Sequence, residues 1–191
     1  AMLEALRGLG YNPATALADI VDNSIAAGAR TVEVDFAWRG EDSTIVILDD
    51  GAGMTPSELD VAMRLGQKNP LVYRQSHDLG RFGMGLKTAS FSQCRRLTVA
   101  SRKHNESSCL RWDLDVLARS DDDGWHLLEG PADWSGEFVH PLKEKTQGTI
   151  VVWEVLDRIV TAGFCEQEFC DLIDRLEQHL AMVRSEELRG G

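Results

Sequence analysis

Three short stretches carry side chains whose types and spacing suit chemistry on a phosphorylated ligand. In Ala18-Asp19-Ile20-Val21-Asp22-Asn23-Ser24, Asp19 and Asn23 stand four apart, so on a helix they share one face while Ile20, Val21 and Ile25 lie mainly on another. A carboxylate and an amide held together can ligate Mg²⁺ and position a water, although the pair alone equally fits a hydrophilic face turned to solvent. Asp49-Asp50-Gly51-Ala52-Gly53-Met54 follows a buried apolar run. An isolated Asp-Asp-Gly is by default an acidic turn. A carboxylate fixed at a strand end, however, can accept a hydrogen bond from an exocyclic amine, and flanking glycines let a flat ring such as adenine approach the backbone.

The third stretch is Gly80-Arg81-Phe82-Gly83-Met84-Gly85-Leu86-Lys87-Thr88. A dinucleotide loop needs GxGxxG after a strand, whereas this is GxxGxG after a loop. A P-loop needs lysine directly after its last glycine, and Leu86 stands there. What remains is a generic device: glycines let backbone N–H groups approach phosphate closely, and a helix beginning near Leu86 would aim its amides and positive dipole end at the anion. By itself, such a glycine-rich turn is as often a plain connection.

These residues need elements to hold them. Leu17, Ile20, Val21 and Ile25 recur at helical spacing and predict a helix from Pro13 to about Gly28. Alternation over Thr31 to Trp38 and the apolar run Ser43 to Leu48 predict two strands, and Thr55-Pro56-Ser57-Glu58 opens a second helix with a capping box. Residues 66–85 have no sustained period and hold four of the seventeen glycines, which predicts a long loop, and a loop that long in a compact domain is usually functional or disordered. A helix follows from Leu86. Strands are then predicted at Leu97-Thr98-Val99, through Leu110, Trp112 and Leu114, at Gly124 to Glu129 and at Thr149 to Val155. Asp121-Asp122-Asp123-Gly124 reads as a hairpin connection, since it lacks the spaced oxygen ligands of a calcium loop. Phe169, Leu172, Ile173, Leu176, Leu180 and Val183 mark a final amphipathic helix whose stripe belongs to the core. Without regular strand-helix alternation, the expected fold is a two-layer α/β sandwich with a mixed, mostly antiparallel sheet and helices on one face.

Composition bounds the function. The 191 residues carry 20 Lys and Arg against 31 Asp and Glu, a net charge of −11, which disfavours general nucleic-acid binding and anionic lipid. At 43% apolar and 27% charged, the chain fits one domain with a substantial core. It contains no apolar run of about 18 residues and no signal-peptide pattern, so a cytoplasmic protein is expected. Cys94, Cys109, Cys165 and Cys170 form no CxxC pair and read as core or surface thiols. The charge is unevenly spread: residues 61–105 hold nine basic side chains and one acid, a local +8 that leaves −19 elsewhere. Starting at Ala1 and closing on Gly-Gly just after a helix, residues 1–191 read as a single domain, the N-terminal part of a longer protein.

Taken in order, the three stretches, with Gly148-Thr149 entering a late strand, resemble the four signature boxes of the ATPase superfamily of gyrase B, the large heat-shock chaperone, sensor histidine kinases and mismatch-repair clamps. The resemblance covers roughly residues 14–155, and the run Gly80 to Ser90 looks most like the microrchidia group and its bacterial relatives. It implies a Bergerat-type fold binding ATP and Mg²⁺ between helices and a flexible lid. By the same resemblance, Asn23 would ligate Mg²⁺, Asp49 would accept the adenine amino proton, and Gly53 and Met54 would flank the base. Gly83, Met84, Gly85 and Leu86 would cap the phosphates, and Thr149 would support Asp49 through water. Ala27, Gly51, Gly80 and Phe82 complete the expected nucleotide-contact set. The lid would span about Gly66 to Phe82, and Lys68, Arg81 and Lys87 are candidates for phosphate contacts.

Two departures from the pattern bear on activity. The family's general base is usually Glu where this chain has Asp19, shorter by one methylene, so slow hydrolysis is expected. Many relatives carry an acid where Ala26 stands. The gyrase-like and mismatch-repair relatives also use a lysine from a following domain, which these residues do not supply. The implied function is a Mg²⁺-dependent ATPase domain whose lid closure couples to homodimerisation and to a DNA or protein client, with no membrane partner. The alternatives are a nucleotide-switched binding module with little hydrolysis and a histidine kinase catalytic domain.

Overall fold

The structure, a computed structural model, describes residues 7–8, 11–64, 82–119 and 126–189. Helix α1 spans Pro13–Ala26. Asn12 starts it by accepting the Thr15 N–H at 2.8 Å, and Pro13 occupies its first turn. Strands β1 (Val32–Ala37) and β2 (Thr44–Asp49) follow, then α2 (Pro56–Met63), where the Thr55 and Glu58 side chains form the expected reciprocal capping box. After α3 (Phe82–Phe91), β3 (Arg96–Lys103) and β4 (Glu106–Asp113) join through His104 and Asn105, whose φ values of 52° and 65° suit a tight hairpin turn. The remaining elements are α4 (Leu114–Arg119), the short β5 (Leu128–Glu129), α5 (Gly136–Val139) running into a 3₁₀ turn at His140–Glu144, β6 (Gly148–Glu154) and α6 (Glu166–Arg189).

The strands form one sheet in the order β1-β2-β6-β3-β4-β5, with every pairing antiparallel. Side chains alternate between its faces. Ile45, Ile47, Leu97, Val99, Val151 and Trp153 point to the face covered by α1, α2, α3 and α6 and share a core with Leu17, Leu59, Phe91 and Phe169. This is the expected two-layer sandwich. Two buried indoles are satisfied there, Trp112 by the Met63 carbonyl and Trp153 by the Ser90 hydroxyl, each at 2.8 Å. The opposite face carries a smaller apolar cluster of Leu48, Ala100, Ile150 and Val152 under Leu142, Phe138 and Val139, so the segment 136–144 covers part of it.

Several element boundaries differ from the sequence expectation. Leu114 begins α4 instead of ending a strand, because Oδ1 of Asp113 accepts the N–H groups of Asp115 and Val116 at 3.1 and 3.2 Å and so caps a helix. Helix α3 starts at Phe82, four residues earlier than the periodicity indicates, so Gly83 and Gly85 lie in its first turn and do not precede it. Of the strand expected at Gly124 to Glu129, only Leu128 and Glu129 are extended among the described residues. The Asp121-Gly124 connection, the Asp78 carboxylate and nearly all of the expected lid at Gly66 to Phe82 lie outside those residues.

Candidate functional site

Asp49 is the last residue of β2, only 6% exposed, and its carboxylate is almost fully engaged. Oδ1 accepts the N–H of Gly51 at 2.9 Å and of Thr149 at 3.2 Å, while Oδ2 accepts the Ser24 hydroxyl at 2.8 Å. A carboxylate has about four acceptor sites, so three hydrogen bonds leave one, on Oδ2. Burial raises the carboxyl above its ordinary value, offsetting the lowering by these three donors, and the neighbouring Asp50 charge adds to the rise. Asp50 plays another part: its Oδ1 accepts the N–H groups of Arg30 and Thr31 and fixes the turn between α1 and β1. Those bonds hold its carboxyl below the ordinary value.

Around Asp49 the backbone segments meet closely. Gly53 has φ of 66°, and a Cβ there would overlap the Arg102 carbonyl. Gly148 has φ of 141°, and a Cβ there would overlap the carbonyl of Asp49 itself. Only glycine permits this convergence. Gly51 sits against Ala27, and the Ala52 N–H donates to the Ala27 carbonyl at 2.9 Å, so the C-terminal end of α1 is docked on the turn. One hydroxyl, Ser101 Oγ, ties the rest together. It accepts the Met54 N–H at 2.8 Å and lies 3.0 Å from the Gly148 carbonyl and 2.9 Å from Thr149 Oγ1. Thr149 therefore meets Asp49 directly, through its backbone N–H, while its hydroxyl belongs to Ser101.

Helix α1 brings the other candidates alongside. Ser24 faces Asp49, and Asp19 and Asn23 lie on the same helix, half-buried. Nδ2 of Asn23 is enclosed without a hydrogen-bond partner. The negative charge of the nearby Asp19 carboxylate raises the Tyr11 phenol above its ordinary value. Helix α3 packs against α1 and presents its first turn, with the N–H groups that have no partner inside a helix. Nothing lies within 4 Å of where a Gly85 Cβ would project, whereas Leu86 is buried. Lys87 is turned inward: its ammonium donates to the Arg64 carbonyl, and burial pushes its pKa down to about 8.

The geometry thus brings Ala27, Asp49, Gly51, Gly53, Met54 and Thr149 into one connected cradle, with Asp19 and Asn23 on the adjoining helix and Gly83 to Lys87 on its neighbour. Gly80, Arg81 and Lys68 lie outside the described residues. Ser24 and Ser101 escaped the sequence reading. Ser24 had a signal, since it continues the buried stripe of Leu17 and Ile20, where a polar side chain needs a partner. Ser101 had none, as its partners lie 47 and 48 residues away.

The donor set bears on Mg²⁺ as well. Among the described residues no group of three or more His, Cys, Asp or Glu side chains is placed to hold a metal. Mg²⁺ commonly binds through one or two protein oxygens plus phosphates and water; Asn23 can offer such an oxygen only through Oδ1, since its enclosed Nδ2 is a donor that cannot ligate a cation.

Comparison with known proteins agrees with this geometry. Over 91 residues the chain is 33% identical to ATPase morc-1 of Caenorhabditis elegans, covering 48% of this chain and 10% of the relative. It is 33% identical over 99 residues to human ATPase MORC2, covering 50% and 9%. It is 49% identical over 121 residues to the DNA mismatch repair protein MutL of Rhizorhabdus wittichii, covering 63% and 19%. The chain therefore spans less than a fifth of the length of each of these relatives. The family model described as histidine kinase-, DNA gyrase B- and HSP90-like ATPase matches residues 11–149, a stretch running from Tyr11 to Thr149 that holds every part of the cradle. With an amide on a helix, a carboxylate at the end of a facing strand and a glycine-rich helix start in that order along the chain, the chain belongs to the histidine kinase-, DNA gyrase B- and HSP90-like ATPase family.

Proposed function

We propose that this domain binds ATP with Mg²⁺ and hydrolyses it slowly, with Asp49 recognising the adenine amino group. The single observation that carries this reading is the buried Asp49 carboxylate, with three donors in place and one acceptor position left. The adenine would lie against Gly51, Gly53 and Met54, and the phosphates would meet the first turn of α3 at Gly83 to Leu86. Asn23 would hold Mg²⁺, which when bound supplies charge neutralisation at the phosphates. Asp19 orients or activates the attacking water. In this reading Lys87 reaches phosphate only by leaving the Arg64 carbonyl, a movement that would accompany lid closure. Lid closure coupled to homodimerisation and to a DNA or protein client extends the proposal to the longer protein. A cytoplasmic setting supplies the ATP; no helix among the described residues is long and apolar enough to cross a membrane.

Calorimetric titration with ATP and Mg²⁺ tests the adenine assignment. Asp49→Asn replaces an acceptor by an amide that cannot be both satisfied at Ser24 and receptive to the base, and affinity is expected to fall about tenfold to a hundredfold. Undiminished affinity would refute it. A nucleotide-switched module with little turnover is the second reading, favoured by the short Asp19 side chain. Single-turnover hydrolysis by Asp19→Ala separates the two, since equal rates in mutant and wild type would remove Asp19 from the chemistry.

A further inference from the structure

Ser101 faces the helices from β3, two residues on from the core residue Val99, and it is fully buried. The register sets it directly across from Thr149 on β6, which in turn stands directly across from Asp49 on β2. Three polar side chains thus form one row across three neighbouring strands. The hydrogen bonds along this row have a direction, fixed by which groups can only give a proton and which can only take one.

A serine hydroxyl offers one proton and two lone pairs. The Met54 N–H, 2.8 Å away, can only donate, so it occupies one lone pair; the Gly148 carbonyl, 3.0 Å away, can only accept, so it takes the proton. One lone pair is left at Ser101 Oγ, and the remaining neighbour, Thr149 Oγ1 at 2.9 Å, donates to it. The opposite direction would take the proton from the Gly148 carbonyl and leave a Ser101 lone pair unused in a fully buried place, where unmade hydrogen bonds are costly. With its proton spent on Ser101, the Thr149 hydroxyl keeps only acceptor positions for whatever enters the cradle. The Asp49 carboxylate beside it is an acceptor too. This wall of the cradle therefore presents acceptors alone.

We propose that Ser101 is a positioning residue for base specificity: by holding the Thr149 proton it keeps the Asp49–Thr149 wall a pure acceptor, which favours a purine with an amino group at C6 over one with a keto oxygen there. The proposal rests on the reading of Asp49 as the contact for the adenine amino group. An amino group donates, whereas a keto oxygen only accepts and meets repulsion from such a wall. Ser101 acts through Thr149. Without the serine hydroxyl, Thr149 is free to swing its proton into the cradle and donate to a keto oxygen.

The test measures Kd by calorimetry, with Mg²⁺ present, for ATP and for inosine triphosphate, in which a keto oxygen replaces the amino group and N1 gains a proton. The readout is the ratio of the inosine constant to the ATP constant, because a purely structural loss moves both together; Tm is followed by thermal unfolding. The wild type is expected to bind ATP the more tightly. Ser101→Ala is expected to lower the ratio about threefold to tenfold, the scale of one hydrogen bond, while its Tm falls for the separate reason that Met54 and Gly148 lose a partner. Ser101→Cys fills the same space with a poor acceptor, so it keeps the test open if the alanine variant does not fold, and it is expected to move the ratio the same way. Thr149→Val is expected to lower the ratio as well, and a Ser101 substitution added to it should shift the ratio no further. An unchanged ratio in the Ser101 variants, whatever their Tm, overturns the proposal by giving Ser101 a purely structural part. An unchanged ratio in Thr149→Val, or a Ser101 effect that persists in full in that background, overturns it too. A wild-type chain that binds the two nucleotides equally, or an Asp49→Asn chain with the wild-type ratio, overturns the reading of Asp49 and the proposal with it.

Discussion

Asp49 is costly to keep ionised in the folded chain. Its carboxyl is raised above the ordinary 3.8 chiefly by burial, so the folded state prefers the protonated form. The stability this preference contributes is fully present below the unfolded value and is lost as pH rises through the folded one. At neutral pH the buried anion is therefore a burden on the nucleotide-free fold. Asp49→Asn removes it at small structural cost: Oδ1 still accepts from Gly51 and Thr149, and the new amide can donate to Ser24 Oγ, whose proton then turns to the Ile20 carbonyl 3.4 Å away. Without nucleotide, the Tm of Asp49→Asn relative to wild type should rise as pH climbs from about 3 to 7. Thermal unfolding at several pH values checks this, and a difference that shrinks with pH would contradict the sign. The same substitution that weakens ATP binding should leave the empty protein no less stable.

The elements are fixed by a few tight junctions. Gly148 opens β6 with its Cα beside the Asp49 carbonyl, so Gly148→Ala must push β6 away from β2 at the residue where Thr149 meets Asp49. With positive φ as well as overlap, a loss of about 2 kcal/mol or more is expected by urea unfolding. ATP affinity should fall in the same variant, because the shift moves the Thr149 N–H. What could be read from the sequence at this scale was local. The Pro13 helix start, the Thr55 capping box and the alternation of β1 each depend on neighbours within four residues, and they were legible; the Asn12 cap was missed. The start of α3 was not, since Gly83 and Gly85 carry no apolar period to mark a first turn. The 136–144 cover was not either: its apolar residues pack on Leu48 and Ile150, partners that no local pattern names. Within the site, the candidate residue types were legible because their order along the chain is informative, whereas the hydroxyls of Ser24 and Ser101 depend on contacts across elements.

At the scale of the molecule, four of the six described cations of the positive segment are paired with acids. Arg64 pairs with Asp60 at 2.6 Å, Arg95 with Asp115 at 2.8 Å, Arg96 with Asp113 at 2.7 Å and Lys103 with Glu58 at 3.0 Å, all but Arg64 with acids far along the chain or on another element. Much of the positive charge among the described residues of that segment is therefore tied up in ion pairs. Arg7 shows the same use of cations: 3% exposed, it donates to the carbonyls of Phe91 and Cys94 and pairs with Asp157, joining the chain ahead of α1 to the end of α3 and to the turn after β6. Arg7→Met would leave these acceptors buried and should lower stability by about 3 kcal/mol in chemical denaturation. The strand order has a consequence for synthesis. β1-β2 and β3-β4 are hairpins that can close as soon as each leaves the ribosome, yet they meet only through β6, the last strand made. Until then the facing edges of β2 and β3 are rows of unpaired N–H and C=O groups, open to pairing with another chain. Asp49 likewise waits 100 residues for the Thr149 N–H. A nascent chain thus acquires its complete carboxylate cradle only when its sheet loses its interior edges, so under the proposed role of Asp49 nucleotide capture would wait for the end of folding.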